Sequence, residues 1–304
     1  MPASFSGIYP AFLTPLDDNR RFVPKVAEAL LQHLLSAGVD GTYVAGSTGE
    51  GVRLPLQERK LLVETLMPGL PEGKKIIVHV GAKRVEDAIA LAQHAAEQGV
   101  HAVSSLPPLG DAQHVYDYYE TLAKESALPL ILYYFPKANP EALLNPQELL
   151  NICDLPNVLG VKFTDFNVYL LQRLVKRGKL VFNGYDEALA AGLLMGAQGG
   201  IGSTYNVMPQ VYVEIFRAAQ RGDWETVRTW QSRSNAVLDI LLKYPFFPAL
   251  RAVMQHRGFD CGPLLSGEDF TSSAQRKQLI EELDRDMPAE VAEIIRWPSA
   301  ISAR

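Results

Sequence analysis

The feature that most constrains the fold is a regular alternation of short apolar runs with segments of helical periodicity. Eight runs occur in the first two thirds of the chain: Ile8–Leu13, Thr42–Ala45, Ile76–Val80, Ala102–Leu106, Leu130–Tyr134, Val158–Phe163, Leu180–Phe182 and Gly200–Ser203. The segments between them place apolar residues on one helical face, as in Val26–Leu35 and Val85–Ala96. Glycines after Ala37, Gln98 and Arg177 mark predicted helix ends.

This order of elements predicts an α/β protein with a (β/α)8 TIM barrel. Alternating strands and helices form either a doubly wound parallel sheet or a closed barrel. No GxGxxG follows the first strand and no P-loop is present, which favours the barrel. After about residue 222 the strand signals stop, and Trp224–Leu242 and Ser272–Asp286 have helical patterns. We therefore assign residues 1–221 to the barrel that carries the active site and residues 222–304 to a C-terminal helical extension packed on it.

Composition and charge exclude several classes of function. The net charge is −5 and no dense Lys/Arg run occurs, so no nucleic-acid partner is expected. No apolar stretch reaches membrane-spanning length and no signal-peptide pattern is present, so we expect a cytoplasmic protein without a membrane partner. Cys153 and Cys261 lie far apart in a chain without a Cys/His cluster, so neither a disulfide framework nor a metal site is predicted.

The sixth apolar run contains a lysine at a position where a catalytic group is expected. Catalytic residues of such barrels come from the C-terminal ends of the strands and the loops that follow them. Strand alternation places Lys162 on the opposite face from Val161 and Phe163. If those two pack outward on helices, Lys162 points into the barrel as an amine nucleophile for a carbonyl. The alternative is a strand-end lysine that extends to solvent.

The fifth strand ends in two adjacent tyrosines. Alternation puts Tyr133 and Tyr134 on opposite faces, so one of them faces the lumen. A lumen tyrosine beside a lysine that forms a Schiff base can move protons. The alternative is a core tyrosine whose hydroxyl is satisfied locally.

Three further segments at the same end of the barrel are rich in small or acidic residues. Ser47 and Thr48 lie between glycines, where consecutive N–H groups form an anion site or simply cap the next helix. Asp186 and Glu187 follow the seventh strand, where they accept hydrogen bonds from a polyol or occupy a helical first turn. The glycine-rich segment 199–206 permits close approach of either a ligand or a neighbouring strand.

Several motifs, in this order and spacing, resemble the N-acetylneuraminate lyase / dihydrodipicolinate synthase superfamily. They are Gly46-Ser47-Thr48-Gly49-Glu50, Tyr133…Pro136 and Gly160-Val161-Lys162. Further segments resemble the N-acetylneuraminate lyase branch: 162–165, 183–187 and 202–206. The resemblance covers most of the chain.

The resemblance implies roles for these residues. Lys162 forms an imine with the keto acid, Tyr133 moves the proton, and Ser47 and Thr48 hold the carboxylate. The residues implied on the sugar side are Thr164, Gly184, Asp186, Glu187, Gly202, Ser203 and Phe247. The resemblance also implies a homotetramer and no metal or organic cofactor. The predicted reaction is the cleavage of N-acetylneuraminate, a sialic acid, to N-acetylmannosamine and pyruvate by a class I aldolase.

Two segments depart from the family pattern. Ala138 stands where the dihydrodipicolinate branch has an arginine for a second carboxylate, which counts against dihydrodipicolinate synthesis. Asn139 or Pro140 stands where the usual lyase has a glycine. The loop Leu106–Asp111 is shorter than in typical members and lacks the aromatic residue that many of them send into a neighbouring subunit's site. Two alternatives stay open: an aldolase or dehydratase for another 2-keto-3-deoxy sugar acid, and a barrel that binds keto acids without turnover.

Overall fold

The computed structural model describes residues 5–138, 140 and 145–298, which include an eight-stranded parallel barrel surrounded by helices. The strands are β1 (Gly7–Pro10), β2 (Gly41–Val44), β3 (Lys75–His79), β4 (Ala102–Ser105), β5 (Leu130–Tyr134), β6 (Val158–Phe163), β7 (Leu180–Asn183) and β8 (Gly199–Gly202). They are hydrogen-bonded in the order β1-β8-β7-β6-β5-β4-β3-β2. A parallel bridge between Ala11 and Tyr43 joins β1 to β2 and closes the ring. The predicted (β/α)8 TIM barrel is confirmed.

In the part of the chain that the structure describes, eight α-helices accompany the strands and four more follow them. The barrel helices are α1 (Pro24–Ser36), α2 (Leu56–Leu66), α3 (Val85–Glu97), α4 (Ala112–Glu125), α5 (Pro146–Cys153), α6 (Val168–Lys176), α7 (Leu189–Leu194) and α8 (Pro209–Gln220). The C-terminal helices are α9 (Trp224–Leu241), α10 (Phe246–His256), α11 (Ser273–Asp286) and α12 (Ala289–Ile295). The first predicted strand, Ile8–Leu13, was too long, because β1 ends at Pro10 and only a single bridge at Ala11 follows it.

Buried side chains form two layers, one inside the barrel and one between barrel and helices. The lumen is filled by large side chains, among them Tyr9, Tyr43 and Phe182, so it is a packed core and not a channel. Val161 and Phe163 belong to the outer layer under the helices. The alternation along β6 therefore directs Lys162 into the lumen, as predicted.

Glycines end several helices where the sequence predicts it. Gly38, Gly99 and Gly178 have φ angles of +91°, +76° and +74°, a region that L side chains rarely adopt. Each chain segment thereby turns back toward the next strand. This reversal returns successive strands to the same side of the barrel and gathers their C-terminal ends at one face.

The C-terminal helices contact the loops at that face. From α9, Gln231 Nε2 donates to the carbonyl oxygen of Asp186 at 3.1 Å, and Asn235 Nδ2 donates to that of Glu187 at 3.2 Å. The boundary at residue 222 between the barrel and its helical extension stays a prediction, and residues 1–4 and 299–304 of the two assigned ranges lie outside the described residues. In the described part of the chain, no helix has the length and apolar character needed to span a membrane.

Candidate active site

The predicted site residues meet in one cavity of about 260 Å³ at the C-terminal end of the barrel. Ten of the eleven line it: Ser47, Thr48, Tyr133, Lys162, Thr164, Gly184, Asp186, Glu187, Ser203 and Phe247. Gly202 is not a lining residue and lies against the Asp186 side chain. The wall also contains residues that the sequence analysis did not single out: Phe135, Tyr185, Ile201, Leu238, Leu242 and Phe246.

Lys162 and Tyr133 lie side by side at the bottom of this cavity. The register of β5 with β6 pairs the two residues directly. Lys162 is 4% exposed, and its Nζ lies 4.0 Å from the ring centroid of Tyr133 and 4.5 Å from that of Tyr43. A substrate carbonyl that reaches the amine therefore also comes close to the phenol.

Tyr134 faces the opposite side of the sheet. Its ring stacks on Phe163 at a centroid distance of 5.2 Å, within the outer core layer. Burial, with a further contribution from Asp165, raises the pKa of Tyr134 to about 12. Of the two adjacent tyrosines, Tyr133 is the one that reaches the cavity.

Tyr43 and His79 lie beneath the pair and were missed in the sequence. The Tyr43 hydroxyl donates to Ser104 Oγ at 3.0 Å, and His79 Nε2 accepts the Leu106 N–H at 2.9 Å. Burial holds the pKa of His79 well below its usual value, so this imidazole is neutral. Both residues lie in apolar strands, where strand alternation alone does not distinguish a polar aromatic residue from an ordinary core residue. The only available signal was their position near strand ends.

The loop after β2 has unbonded donors of the kind that the predicted anion site requires. The backbone N–H groups of Ser47 and Thr48 have no hydrogen-bond partner among the described residues. Thr48 Oγ1 and Ser203 Oγ are 2.7 Å apart, which links this loop to the end of β8. Two free N–H groups beside hydroxyls are suited to a carboxylate.

Thr164, which lies against Gly184, contributes a hydroxyl on the wall opposite the loop after β2. Thr164 Oγ1 is buried and has no partner within the described residues. A Cβ added at Gly184 would lie 2.0 Å from this oxygen, so glycine is required for the close approach. An unsatisfied buried hydroxyl that lines a cavity is available to a ligand oxygen.

Asp186 is buried, and among the described residues only its Oδ2 has a hydrogen-bond partner. Its Oδ2 accepts the Thr204 N–H at 2.7 Å and the Thr204 hydroxyl at 2.6 Å. A Cβ at Gly202 would lie 2.0 Å from Oδ1, so this glycine makes room for the carboxylate. Burial raises the pKa of Asp186 to about 6, although the bonds from Thr204 lower it. Asp186 thus binds the loop after β8 and also belongs to the lining of the cavity.

Glu187 differs from its neighbour because it is only half-buried. Both acids lie in a 3-10 turn, Asp186–Ala188, directly before α7. They therefore do occupy a helical first turn, which was the alternative interpretation of this pair. In the described residues no hydrogen bond to the Glu187 carboxylate is found, and only its backbone carbonyl is bonded, to Asn235. The Glu187 side chain is therefore free to accept donors from a ligand.

The outer part of the cavity is aromatic. Tyr133 stacks on Phe135 with centroids 6.1 Å apart, and Phe135 meets Tyr185 edge-on at 6.4 Å. Tyr185 in turn stacks on Phe166 at 4.4 Å. Phe247 lies on the α10 side of the cavity. A ligand that fills the cavity thus meets polar groups near Lys162 and mixed carboxylate and apolar surface farther out.

A larger and more open cavity of about 840 Å³ lies beside the site and contains none of the predicted site residues. Both segments that depart from the family pattern reach it, through Leu106–Leu109 and Ala138. Asn139 lies outside the described residues. Within the described ranges, no three His, Cys, Asp or Glu residues are grouped as metal ligands.

Comparison with known proteins places this site in a family. The model of the dihydrodipicolinate synthetase family matches residues 4–282. An N-acetylneuraminate lyase of Rhizobium meliloti (strain 1021) is 34% identical over 304 residues, which is 98% of this chain and 98% of that protein. A crystal structure of N-acetylneuraminate lyase from Mycoplasma synoviae has a TM-score of 0.83 at 26% identity and covers 95% of this chain and 98% of that one. A dihydrodipicolinate synthase structure, 24% identical with a TM-score of 0.84 over 92% of this chain and 98% of that one, shares the fold.

Proposed function

The chain belongs to the dihydrodipicolinate synthetase family, and we propose that it cleaves N-acetylneuraminate to N-acetylmannosamine and pyruvate as a class I aldolase. That it is a carbon–carbon lyase of the pyruvate-dependent type follows from the family. The observation that carries the proposal is the pairing of Lys162 with Tyr133 at the bottom of a cavity. Retention of both groups argues against a barrel that only binds keto acids.

The geometry supports a reaction through an imine on Lys162. The amine attacks the keto carbon of the substrate, and loss of water gives a protonated imine. Tyr133 takes the proton of the hydroxyl that becomes the aldehyde while its own phenolic proton passes to the substrate carboxylate. The C–C bond breaks, and its electron pair enters the imine to form an enamine. Protonation of the enamine carbon and hydrolysis release pyruvate and return the free amine. Ser47 and Thr48 hold the carboxylate during these steps.

The cavity lining supports a sialic acid as substrate. Among the described lining residues Lys162 is the only cation, so the cavity offers no arginine for a second carboxylate. Glu187 and Asp186 suit a hydroxylated tail, and the aromatic wall at Phe135 and Tyr185 suits the apolar part of an acylated sugar. A shorter 2-keto-3-deoxy sugar acid would leave these outer groups without contacts.

The test is an assay of aldehyde and pyruvate release over a panel of sialic acids and 2-keto-3-deoxy sugar acids. We expect N-acetylneuraminate to have the highest kcat/KM. Faster turnover of a shorter acid would transfer the proposal to that substrate class. No turnover of any member, with no covalent adduct on Lys162 after pyruvate and borohydride, would contradict the aldolase.

The proposal includes a homotetramer in the cytoplasm. Leu109 and Val52, 77% and 62% exposed, lie beside the larger cavity, and exposed apolar side chains on one face support contact with another subunit. Light scattering of the purified protein measures the mass of the assembly. A mass equal to that of one chain would contradict the tetramer.

A further inference from the structure

Glu50 is a buried carboxylate that the reaction does not use directly. It lies three residues after Ser47, and it is 7% exposed. Its Oε2 accepts the Leu265 N–H at 2.7 Å, and its Oε1 accepts the Ser266 N–H at 2.8 Å. Both donors belong to the segment between α10 and α11, more than 200 residues away in the chain. Glu50 therefore joins the loop after β2 to the C-terminal extension.

Arg251 of α10 also binds the segment between α10 and α11. It is 4% exposed, and its Nη1 donates to the carbonyl oxygens of Cys261 and Gly262. Its Nη2 donates to the carbonyl oxygen of Thr14 at 3.1 Å and lies 3.9 Å from Glu50 Oε2. The opposite charge of Arg251 offsets part of the cost of burying the Glu50 carboxylate.

The loop between these contacts has a conformation that does not form by itself. Ala45 and Glu50 have φ angles of +57° and +51°, which are unfavourable for residues with a side chain. The Thr14 hydroxyl donates to the Gly49 carbonyl oxygen at 2.8 Å, and a Cβ at Gly51 would lie 1.7 Å from the Ala45 carbonyl oxygen. Such a backbone persists only where surrounding contacts fix it.

We propose that Glu50 is a positioning residue through which segment 261–266 holds the Ser47-Thr48 loop in the shape that binds the carboxylate of the keto acid. The inference rests on the proposed function of that loop. Two N–H donors require two acceptor oxygens, which a carboxylate supplies and an amide does not. In Glu50→Gln, one of the two N–H groups, in a part-buried contact, faces the amide NH2 and loses its partner, so the loop gains alternative conformations.

The experiment measures saturation of the Lys162 adduct by pyruvate, with borohydride as the trap, in the full-length chain. We expect Glu50→Gln to require about tenfold more pyruvate for half-maximal trapping, since loss of one hydrogen bond to a charged group costs about that factor. The rate at saturating substrate should change little, because Lys162 and Tyr133 lie on other elements. General destabilisation would instead lower the amount of active protein and leave half-saturation unchanged.

Glu58→Gln is the matched control. The Glu58 Oε2 also accepts a backbone N–H from a distant loop, that of Phe22 at 3.2 Å, but neither Glu58 nor Phe22 lines the cavity. It should trap pyruvate as the parent does. The inference is overturned if Glu50→Gln is half-saturated at the same pyruvate concentration as the parent. It is also overturned if Glu58→Gln needs as much additional pyruvate as Glu50→Gln does. If Glu50→Gln does not fold, the same measurement is made on Glu50→Asp. Its shorter side chain cannot reach both donors, so the same rise in the half-saturating pyruvate concentration is expected. A parent that is not trapped at all contradicts the proposed aldolase instead.

Discussion

Tyr133 and Lys162 occupy paired positions on β5 and β6, and the Lys162 Nζ lies 4.0 Å from the centroid of the Tyr133 ring. The backbone hydrogen bonds of two neighbouring strands fix the register of this pair, so their relative position does not depend on a loop. An amine and a phenol are thus held within reach of one ligand. The loops supply the remaining contacts and determine which substrate fits.

The first prediction concerns the adduct itself. Lys162→Ala should abolish trapping of pyruvate by borohydride and lower turnover to background, since no other amine lines the cavity among the described residues. The fold should be retained, because one lumen side chain contributes little to a core of this size. Peptide mapping of the parent adduct and circular dichroism of the variant measure the two outcomes. Modification of a different lysine in the parent contradicts the mechanism.

The second prediction separates chemistry from binding. Tyr133→Phe keeps the ring over Lys162 and removes the hydroxyl, so kcat should fall about 10²–10⁴-fold while KM changes little. Tyr134→Phe is the control, since that ring lies in the outer layer against Phe163. Steady-state kinetics of both variants give the answer. An unchanged kcat with a raised KM for Tyr133→Phe would assign the hydroxyl to binding alone.

The barrel and most of the cavity were predictable from local patterns. Periodicity of 2 and 3.6 residues set the strands and helices, and strand alternation directed Lys162 inward and Tyr134 outward. The family resemblance then supplied residues on loops, such as Thr164 and Phe247, that no periodicity identifies. Ten of the eleven predicted site residues line one cavity because the C-terminal strand ends of a closed barrel meet at one face.

What the sequence did not predict depends on contacts between distant segments. Asp186 and Glu187 looked equivalent, yet Thr204 binds only Asp186, and this partner is 18 residues away. The bonds from Leu265 and Ser266 to Glu50 likewise join parts of the chain more than 200 residues apart. The pairing of β7 with β8 brings Thr204 to Asp186, and the chain after α10 brings Leu265 and Ser266 to Glu50.

The third prediction is a pH dependence. Burial raises the pKa of Asp186 to about 6, so this carboxyl gains a proton as the pH falls through that value. A protonated Oδ1 no longer accepts a hydrogen bond from a substrate hydroxyl, so kcat/KM for N-acetylneuraminate should decline on the acid side. Glu187 and Lys162 also act on this group, the former raising and the latter lowering its pKa. The profile of kcat/KM against pH reports the free enzyme.

Asp186→Asn provides the comparison for that profile. The amide cannot titrate, so the acidic decline assigned to Asp186 should disappear from a profile that is lower overall. Persistence of the same decline in the variant would assign it to a different group.

The fourth prediction tests the carboxylate site. Thr48→Val keeps the shape of the side chain and removes the hydroxyl that contacts Ser203. Loss of one hydrogen bond worth about 1 kcal/mol should raise the pyruvate concentration for half-maximal trapping about fivefold. The double variant with Ser203→Ala should lose less than the sum of the single effects, because the two hydroxyls are partners. Strict additivity would contradict a joint role.

The last prediction concerns the substrate. Glu187 has a carboxylate with no bonded partner in the described structure, whereas Asp186 also binds Thr204, so Glu187→Ala is the cleaner change. A charge-assisted hydrogen bond to a sugar hydroxyl is worth about 1.5–3 kcal/mol, so kcat/KM for N-acetylneuraminate should fall about 10–100-fold. Trapping of pyruvate should be unaffected, because that fragment stays at Lys162. If the variant cleaves N-acetylneuraminate as well as the parent does, Glu187 only begins a helix, and the substrate is a shorter keto-deoxy sugar acid.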